Sequence, residues 1–308
     1  MSKIALNSNA SGTGVFTIAS PNSDTDRTLS LPDQSGTVAL TANTFGYNII
    51  INGDGSVNQR GYTSGTATTG ANEYTLDRWR VVTSGESLTF TGNEAGRIMT
   101  APSGGVEQVI EGRNIAGGTY AISWTGTATG AVDGTTVSNG DTVTLTANTN
   151  STIKFTSGTF TNVKVEKGDV ATPFEHCSFG EELMLCQRYF WTLIPRDGRY
   201  ATTGALLPLQ NYTSTSDNTF IAGTFPQEMR SSPTITHNLT TSYNINTSAG
   251  WAFREWYVAT RGYTSLSIIP ERYGSTWSIR LGNPNGNATV FYTQVNDNTV
   301  YVDFDAEL

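Results

Sequence analysis

Between residues 46 and 170 the sequence alternates apolar and polar residues in short runs that are separated by glycine, asparagine and aspartate. Thr142-Val143-Thr144-Leu145-Thr146 and Thr152-Ile153-Lys154-Phe155 are two of these runs. A period of two residues puts every second side chain on one face of a β-strand, so we expect each strand to have one buried and one polar face. The runs recur every 8–12 residues or so, the spacing typical of a β-sandwich.

This pattern predicts a jelly-roll sandwich, in which Trp79 and Trp124 lie in mid-strand and belong to the core. Asp133-Gly134 and Asn139-Gly140-Asp141 are turn sequences typical of hairpins. The predicted strands are Asn48–Asn52, Tyr74–Thr83, Ser87–Thr91, Gly96–Ala101, Val106–Glu111, Thr119–Thr127, Asp141–Ala147, Ser151–Thr156 and Thr161–Glu166.

Composition and charge limit the classes of function. The 308 residues leave room for about two domains. Only 14% of them are charged, against roughly 25% in typical globular proteins. The net charge of −8 argues against binding to nucleic acid or to an anionic membrane, because both require a basic face. The N-terminal residues do not resemble a signal peptide, and the sequence contains no apolar run of the roughly 20 residues that span a bilayer. We therefore expect synthesis in a cytosol and no membrane insertion.

Residues 176–190 are the one segment with helix-like spacing. We predict a short helix here that connects two domains and packs between domains or between chains. Ser178 is expected to cap it, with Glu181 completing a capping box. The predicted buried stripe consists of Phe179, Leu183, Leu185, Cys186 and Tyr189, and the polar face of Glu181, Glu182, Gln187 and Arg188.

The two ends of the chain differ from the middle. Residues 1–45 contain short apolar runs between turns and too few large side chains to bury a core, so they need a partner surface for stability. Residues 191–308 again look all-β, are rich in aromatic residues and end on the alternating strand Thr299–Phe304. The prediction is an all-β chain with four parts: N-terminal strands 1–45, the jelly roll 46–175, the helical connector 176–190 and a C-terminal antiparallel β-domain 191–308.

Five sequence motifs resemble those of bacteriophage tail fibres and receptor-binding proteins that carry a carbohydrate-binding-module-like jelly roll. In chain order they are Arg27–Leu40, Asn48-Ile49-Ile50-Ile51-Asn52-Gly53 with Gln59-Arg60-Gly61, Asp77-Arg78-Trp79, the run from Gly168 to Phe190, and Phe225–Ile235. The resemblance implies a virion structural protein of the tail that is assembled in the host cytoplasm as a homotrimer. It also implies attachment of residues 1–45 to tail or baseplate proteins, and host adsorption through bacterial surface polysaccharide.

The sequence gives little support to an enzyme. Glycoside hydrolysis needs two carboxylates about 5–10 Å apart across the sugar. Glu181 and Glu182 are adjacent on the predicted helix, so their side chains diverge by about 100°. A Ser-His-Asp triad would have to use His176, where we expect a structural hydrogen bond, or His237, which we expect at the surface. Four further glutamates lie on scattered predicted strands: Glu86, Glu94, Glu107 and Glu111.

We expect no metal and no cofactor. Cys177 and Cys186 with the neighbouring His176 supply too few ligands for a zinc site, which needs about four in tighter pairs. A disulfide is not expected in a chain that is assembled in a cytosol, so both cysteines are predicted to be small buried side chains. We also expect Asp77 and Arg78 to form a structural pair.

The aromatic residues of the C-terminal part favour carbohydrate binding, because Trp and Tyr combine an apolar ring with a polar tip. If Trp251 and Phe253 face the core, then Arg254 and Trp256 point outward from the same strand. The alternative is that these aromatics fill the core, and that the jelly roll is only a spacer. The predicted carbohydrate-binding residues are Arg254, Trp256, Tyr263, Arg272, Tyr273 and Trp277.

These features predict adsorption to a host glycan by multivalent binding, without catalysis. Two alternatives stay open. One is a virion decoration or head-fibre protein that binds no receptor, and the other is a polysaccharide depolymerase.

Overall fold

The computed structural model describes residues 24–26, 28, 46–192, 210–213, 218–237, 252–253, 265–270, 276–282, 291–292 and 302–308. The chain divides into two compact units, Met1–Ala39 and Leu40–Leu308. Almost all of the predicted attachment segment 1–45 lies outside the described residues.

Two antiparallel sheets form the first half of the larger unit. Their strands are β1 Glu73–Tyr74, β2 Arg80–Val81, β3 Thr89–Asn93, β4 Gly96–Ala101, β5 Val106–Ile110, β6 Gly118–Gly126, β7 Thr129–Val132, β8 Thr135–Val137, β9 Thr142–Leu145, β10 Ser151–Thr156 and β11 Gly158–Lys167. The six-stranded sheet has the order β1-β2-β5-β10-β7-β8 and the five-stranded sheet the order β3-β4-β11-β6-β9.

The alternating sequence pattern produces this sandwich as predicted. In β10, Ser151, Ile153 and Phe155 are buried, and the residues between them are half-buried. The core contains four large rings. Phe155 and Phe160 stack with their centres 4.6 Å apart, while Trp79 and Trp124 meet them edge to face. Both tryptophans are buried, which confirms their assignment to the core.

Turn chemistry explains where the strands are joined. Asp133 and Gly134 have φ of 47° and 80° and close the β7–β8 hairpin, whose two-residue turn requires positive φ at both positions. The segment 139–141 is not a hairpin turn, contrary to the prediction, because it joins β8 of one sheet to β9 of the other.

Two predicted strands are wrong or interrupted. Residues 48–52 contain one isolated bridge, from Asn48 to Glu166, and then turn, since the Asn48 side chain bonds the backbone of β11. The predicted strand Tyr74–Thr83 is split into β1 and β2 by a turn at 75–79. In this turn the backbone N–H of Thr75 donates to the carbonyl of Trp79, and Arg78 has a φ of 70°.

The predicted helix is present as α1, Phe179–Gln187, with the predicted capping box between Ser178 and Glu181. Its C-terminal half packs against the sandwich, where Cys186 is buried against Ile51 and Val57. Phe179 does not lie on the buried stripe as predicted. It is 42% exposed because it begins the helix, while the packing is made by the later turn.

The cysteines are free, and only Cys186 is buried, so the prediction of two buried cysteines is wrong for Cys177. Cys177 precedes the helix and lies 3.5 Å from the exposed carboxylate of Glu181.

The described residues that follow α1 lie mostly in strands, which confirms the all-β class, with α1 as the α-helix of the described residues. The strands are β12 Phe190–Thr192, β13 Gln210–Thr213, β14 Asn218–Thr224, β15 Thr234–His237, β16 Ala252–Phe253, β17 Ser265–Pro270, β18 Thr276–Gly282, β19 Phe291–Tyr292 and β20 Val302–Asp305. They form three sheets with the orders β12-β20-β15, β13-β14-β18-β17 and β16-β19.

Candidate functional site

Of the six predicted carbohydrate-binding residues, one lies in the described part of the chain. Trp277 lies on β18, where its backbone is opposite Gly223 of β14 and Pro270 of β17. The set therefore stays a prediction. The residues that lie outside the described part are Arg254, Trp256, Tyr263, Arg272 and Tyr273.

The structure instead brings the sequence motifs together around a buried ionic cluster. Arg60 donates to Asp305 at 3.0 Å and to Glu307 at 3.3 Å. Arg78 donates to the second carboxylate oxygen of Glu307 and to the carbonyl of Val109. The side chains of Arg78 and Glu307 are only 1% and 3% exposed. We call Arg60, Arg78, Asp305 and Glu307 the junction cluster, since it joins the sandwich to the end of β20.

Two rings at the end of α1 cover the arginines. The guanidinium carbon of Arg60 lies 3.7 Å from the ring centre of Phe190, and that of Arg78 lies 3.6 Å from the ring centre of Tyr189. Contacts of this kind between a cation and a ring contribute about 2 kcal/mol when water is excluded. They hold the residues that follow α1 against the same arginines that bind the carboxylates at the end of β20. We call the residues that follow α1 the helix exit.

Asp77 holds the opening motif beside the junction cluster. The backbone and side-chain N–H groups of Gln59 donate to its two carboxylate oxygens at 2.6 and 2.7 Å. Burial raises the pKa of Asp77 to about 6, although nearby Arg60 acts in the opposite direction. The predicted Asp77–Arg78 pair is wrong: the positive φ of Arg78 turns its side chain toward Glu307.

A second ion pair lies at the same helix exit. Arg188 donates to Glu111 at 3.0 Å, and the Tyr189 hydroxyl donates to the other Glu111 oxygen at 2.7 Å. Burial acts to raise the pKa of Glu111, but these donors outweigh it and the pKa is lowered. Glu111 is therefore held as a carboxylate by two residues of the 168–190 motif.

Arg230 brings in the last motif. Its backbone N–H donates to the Arg188 carbonyl at 2.8 Å, and its side chain donates to the carbonyls of Ala306 at 2.7 Å and Glu307 at 3.0 Å. The segment 225–230 is thereby tied both to the helix exit and to the residues that follow β20.

The beginning of the 168–190 motif is anchored on the sandwich. Lys164 and Glu166, which lie two residues apart on one buried stretch of β11, form an ion pair at 3.2 Å. The hydroxyl of Thr172 accepts from Lys164 and donates to Glu166, and both distances are 2.6 Å. Gly46 also donates its backbone N–H to Glu166 at 2.9 Å. One charged pair thus holds the chain where it enters and where it leaves the sandwich.

The arrangement suits the holding of chain segments better than proton transfer. A general acid or base must present a proton or lone pair to a substrate, whereas both oxygens of Asp77, Glu111 and Glu307 accept from protein donors. His176, whose side chain is 61% exposed, lies 3.4 Å from a carboxylate oxygen of Asp54, and the structural hydrogen bond expected for it stays a prediction. Among the described residues, no group of three or more His, Cys, Asp or Glu can hold a metal ion.

Sequence reasoning missed Asp305 and Glu307, although it found Gln59, Arg60, Asp77 and Arg78 as motif residues. The available signal was the placement of Asp303, Asp305 and Glu307 at every second position, which puts three acids on one face of an extended segment. An acidic face on a strand that is otherwise buried requires cationic partners elsewhere in the chain.

Comparison with protein-family models, curated proteins and solved structures found no match to this chain. In the part of the chain that the structure describes, no helix has the length and apolar character needed to cross a membrane. Function must therefore be inferred from the motifs and from the geometry of the junction cluster.

Proposed function

We propose that this chain is a tail-fibre subunit of a tailed bacteriophage, a virion protein that mediates adsorption to a host surface glycan without breaking a bond. One observation carries the proposal. The four motifs at 48–61, 77–79, 168–190 and 225–235, which resemble tail-fibre sequences, meet around the junction cluster through Arg60, Arg78, Tyr189 and Arg230.

A fibre must transmit force between the cell surface and the particle. Domains that are joined by a small polar contact move relative to one another by default. Here the sandwich, the helix exit and β20 share ion pairs that are withdrawn from water, and separating them would leave buried charges unpaired. Such a connection supports a rigid rod, which is what a fibre subunit requires.

Adsorption would depend on many weak contacts. A single sugar site with millimolar affinity supplies only about −4 kcal/mol. A homotrimer repeated around a tail links several sites, so that each later contact becomes intramolecular. In this proposal the aromatic set around Trp256 and Trp277 contacts the glycan, and residues 1–45 attach to tail or baseplate proteins of a virion assembled in the host cytoplasm.

The proposal is tested by competition. Purified full-length protein is added to host cells before phage, and the rate of phage adsorption is measured. We expect slower adsorption with wild type and a weaker effect with Trp256→Ala. Tyr47→Ala is the matched control, since Tyr47 is an exposed aromatic residue of the sandwich unit, 73% accessible, that is not assigned to sugar binding.

The same material separates the alternatives. No slowing of adsorption by wild type would contradict the proposal. Antibody labelling on the head would favour a decoration or head-fibre protein, and labelling on the tail supports the present proposal. Release of oligosaccharides from host envelopes would favour a depolymerase.

A further inference from the structure

The residues that follow β20 are held mainly by side chains of other segments and not by a β-ladder. The pairing of β20 with its two neighbours ends at Asp305. Beyond this position the carbonyl of Leu308 accepts from the Arg80 guanidinium at 2.7 Å and from the Tyr74 hydroxyl at 2.9 Å. We call residues 305–308 the latch. It is bound as a peptide ligand is bound, through its side chains and its backbone carbonyls together.

Four side chains of the sandwich receive the latch, and we call them the arginine site: Arg60, Tyr74, Arg78 and Arg80. The guanidinium carbons of Arg60 and Arg80 lie 5.2 and 5.8 Å from the ring centre of Tyr74. The side chains of the three arginines are 14%, 1% and 19% exposed. Cations that lie close together and away from water need carboxylates as partners. Glu107 supplies one to Arg80, and the latch supplies those of Arg60 and Arg78.

The arginine site is positioned by contacts that do not involve the latch. The turn at 75–79 gives Arg78 a φ of 70°, and its guanidinium also donates to the Val109 carbonyl at 2.6 Å. Arg80 is fixed by its ion pair with Glu107 on the neighbouring strand. Side chains that are held in place before binding lose less conformational freedom when a ligand arrives, and this strengthens binding. We therefore expect the site to keep its shape when the latch is displaced.

The spacing of the latch carboxylates matches the arginines. Asp305 and Glu307 are two positions apart, so an extended backbone directs both side chains to one side. Arg60 contacts both carboxylates, at 3.0 and 3.3 Å, and Arg78 binds the second oxygen of Glu307. A lone carboxylate would satisfy only one of the two positions that Arg60 contacts. The site therefore recognises a pair of acids at alternate positions.

The residue after the second carboxylate is recognised as well. Leu308 is half-buried and packs against the apolar cluster of Ile51, Val57, Cys186 and Tyr189. A nucleic acid or an anionic sugar would supply charge, but it would leave this apolar contact and the two donors to the Leu308 carbonyl unused. The occupant that fits every group is a short acidic peptide with carboxylates at alternate positions and a leucine after the second.

We propose that the arginine site is a receptor for the acidic segment Asp-x-Glu-Leu. The latch occupies the site within the chain, and the site binds the same segment when it is supplied as a separate peptide. The latch is then a detachable strap, and a competing acidic peptide releases it. This inference does not depend on the proposed function.

Peptide titration of the full-length protein tests the proposal. The receptor is a variant with Asp305→Asn and Glu307→Gln, which keeps the arginine site but removes both carboxylates of the latch. The ligand is the synthetic peptide Asp-Ala-Glu-Leu with blocked ends, followed by NMR through its leucine methyl signals. We expect it to bind this variant at least about tenfold more tightly than wild type, in which the tethered latch competes as an intramolecular ligand. The neutral peptide Asn-Ala-Gln-Leu should bind the variant at least about tenfold more weakly than the acidic one.

A variant with Asp169→Asn and Glu175→Gln is the matched control. It removes two exposed carboxylates outside the latch and should bind the acidic peptide as weakly as wild type does. Equal binding of the acidic and neutral peptides to the receptor variant, or no binding of the acidic peptide at millimolar concentration, overturns the proposal. Equal binding of the acidic peptide to the receptor variant and to wild type also overturns it, because the peptide would then not use the site of the latch.

If the receptor variant does not fold, Ala306→Pro decides. The backbone N–H of Ala306 donates to the Tyr189 carbonyl at 2.8 Å, and proline removes this donor while both latch carboxylates and the arginine site stay. The acidic peptide should bind Ala306→Pro about fivefold more tightly than wild type, as the loss of one hydrogen bond from the competing latch predicts. Equal binding to Ala306→Pro and wild type overturns the proposal.

Discussion

Arg78 and Glu307 are separated by 229 residues in the sequence, yet they form an ion pair that is almost completely withdrawn from water. Arg78 is fixed by a turn with positive φ, and Glu307 follows the last strand. The pair therefore links the beginning of the sandwich to the end of the described chain, and it leads to the first prediction.

Replacing Glu307 by Gln should reduce the free energy of unfolding by about 3–5 kcal/mol, because it leaves two buried arginines with one carboxylate fewer. Urea unfolding of the full chain measures the effect. Glu228→Gln changes an exposed glutamate nearby and should stay within about 0.5 kcal/mol of wild type. If Glu307→Gln lowers the free energy of unfolding no more than Glu228→Gln does, the junction cluster contributes little to stability.

The raised pKa of Asp77 predicts an unusual pH dependence. Its pKa is about 6 in the folded protein and about 3.9 in an unfolded chain. The folded state therefore holds this proton more tightly, and the contribution of Asp77 to stability falls as pH rises from 4 to 6. The two pKa values differ by about two units, so the change approaches 3 kcal/mol.

Asp77→Asn should remove this contribution. Unfolding free energies of wild type and variant, measured at several pH values, should converge or cross between pH 4 and 6. Glu111 and Glu166, whose pKa values are lowered, remain in both proteins and cancel in the difference. Parallel curves for the two proteins would contradict the assignment.

The hydrogen bonds of Gln108 should stabilise the core strongly. Its side chain accepts from the backbone N–H of Ile51 at 3.0 Å and donates to the Ile51 carbonyl at 2.8 Å. Gln108→Leu leaves both backbone groups buried without these bonds and should cost about 2–4 kcal/mol. Thr136→Leu, an exposed change on β8, serves as the control in the same thermal and urea measurements. A small effect at Gln108 would mean that the loop around Ile51 rearranges freely.

The cysteines should react differently. Partial burial and the nearby Glu181 carboxylate raise the pKa of Cys177 to about 11, and burial raises the pKa of Cys186 well above its usual value. In the native protein at pH 8 we expect one slowly reacting thiol, at least about tenfold slower than free cysteine. Cys177→Ser should abolish the native signal, and unfolding wild type should expose two thiols. Two fast native thiols would contradict this.

Local sequence patterns predicted the local parts of the fold well. The alternation in 152–155 places β10, the Ser178–Glu181 pair caps α1, and Asp133-Gly134 closes a hairpin. These succeed because each depends on backbone preferences within a few residues. The strand proposed for 48–52 fails because the side chain of Asn48 satisfies backbone groups of β11, a contact 115 or more residues away that no local pattern encodes.

The same limit applies to the candidate site. Resemblance selected Arg60, Asp77 and Arg78, but a sequence cannot state which acid neutralises which base across two hundred residues. Asp77 was assigned to its neighbour Arg78, whereas the fold gives it Gln59 and gives Arg78 to Glu307. Burial decided these pairings, and burial is known only once the sheets are assembled.

The place of β20 between β12 and β15 has a consequence for biosynthesis. A ribosome makes Arg60 and Arg78 long before Asp305 and Glu307, so a nascent chain cannot complete the junction cluster until the segment after residue 301 has left the exit tunnel. A product of early termination would keep its two guanidinium groups hydrated and would leave the residues that follow α1 open to proteases.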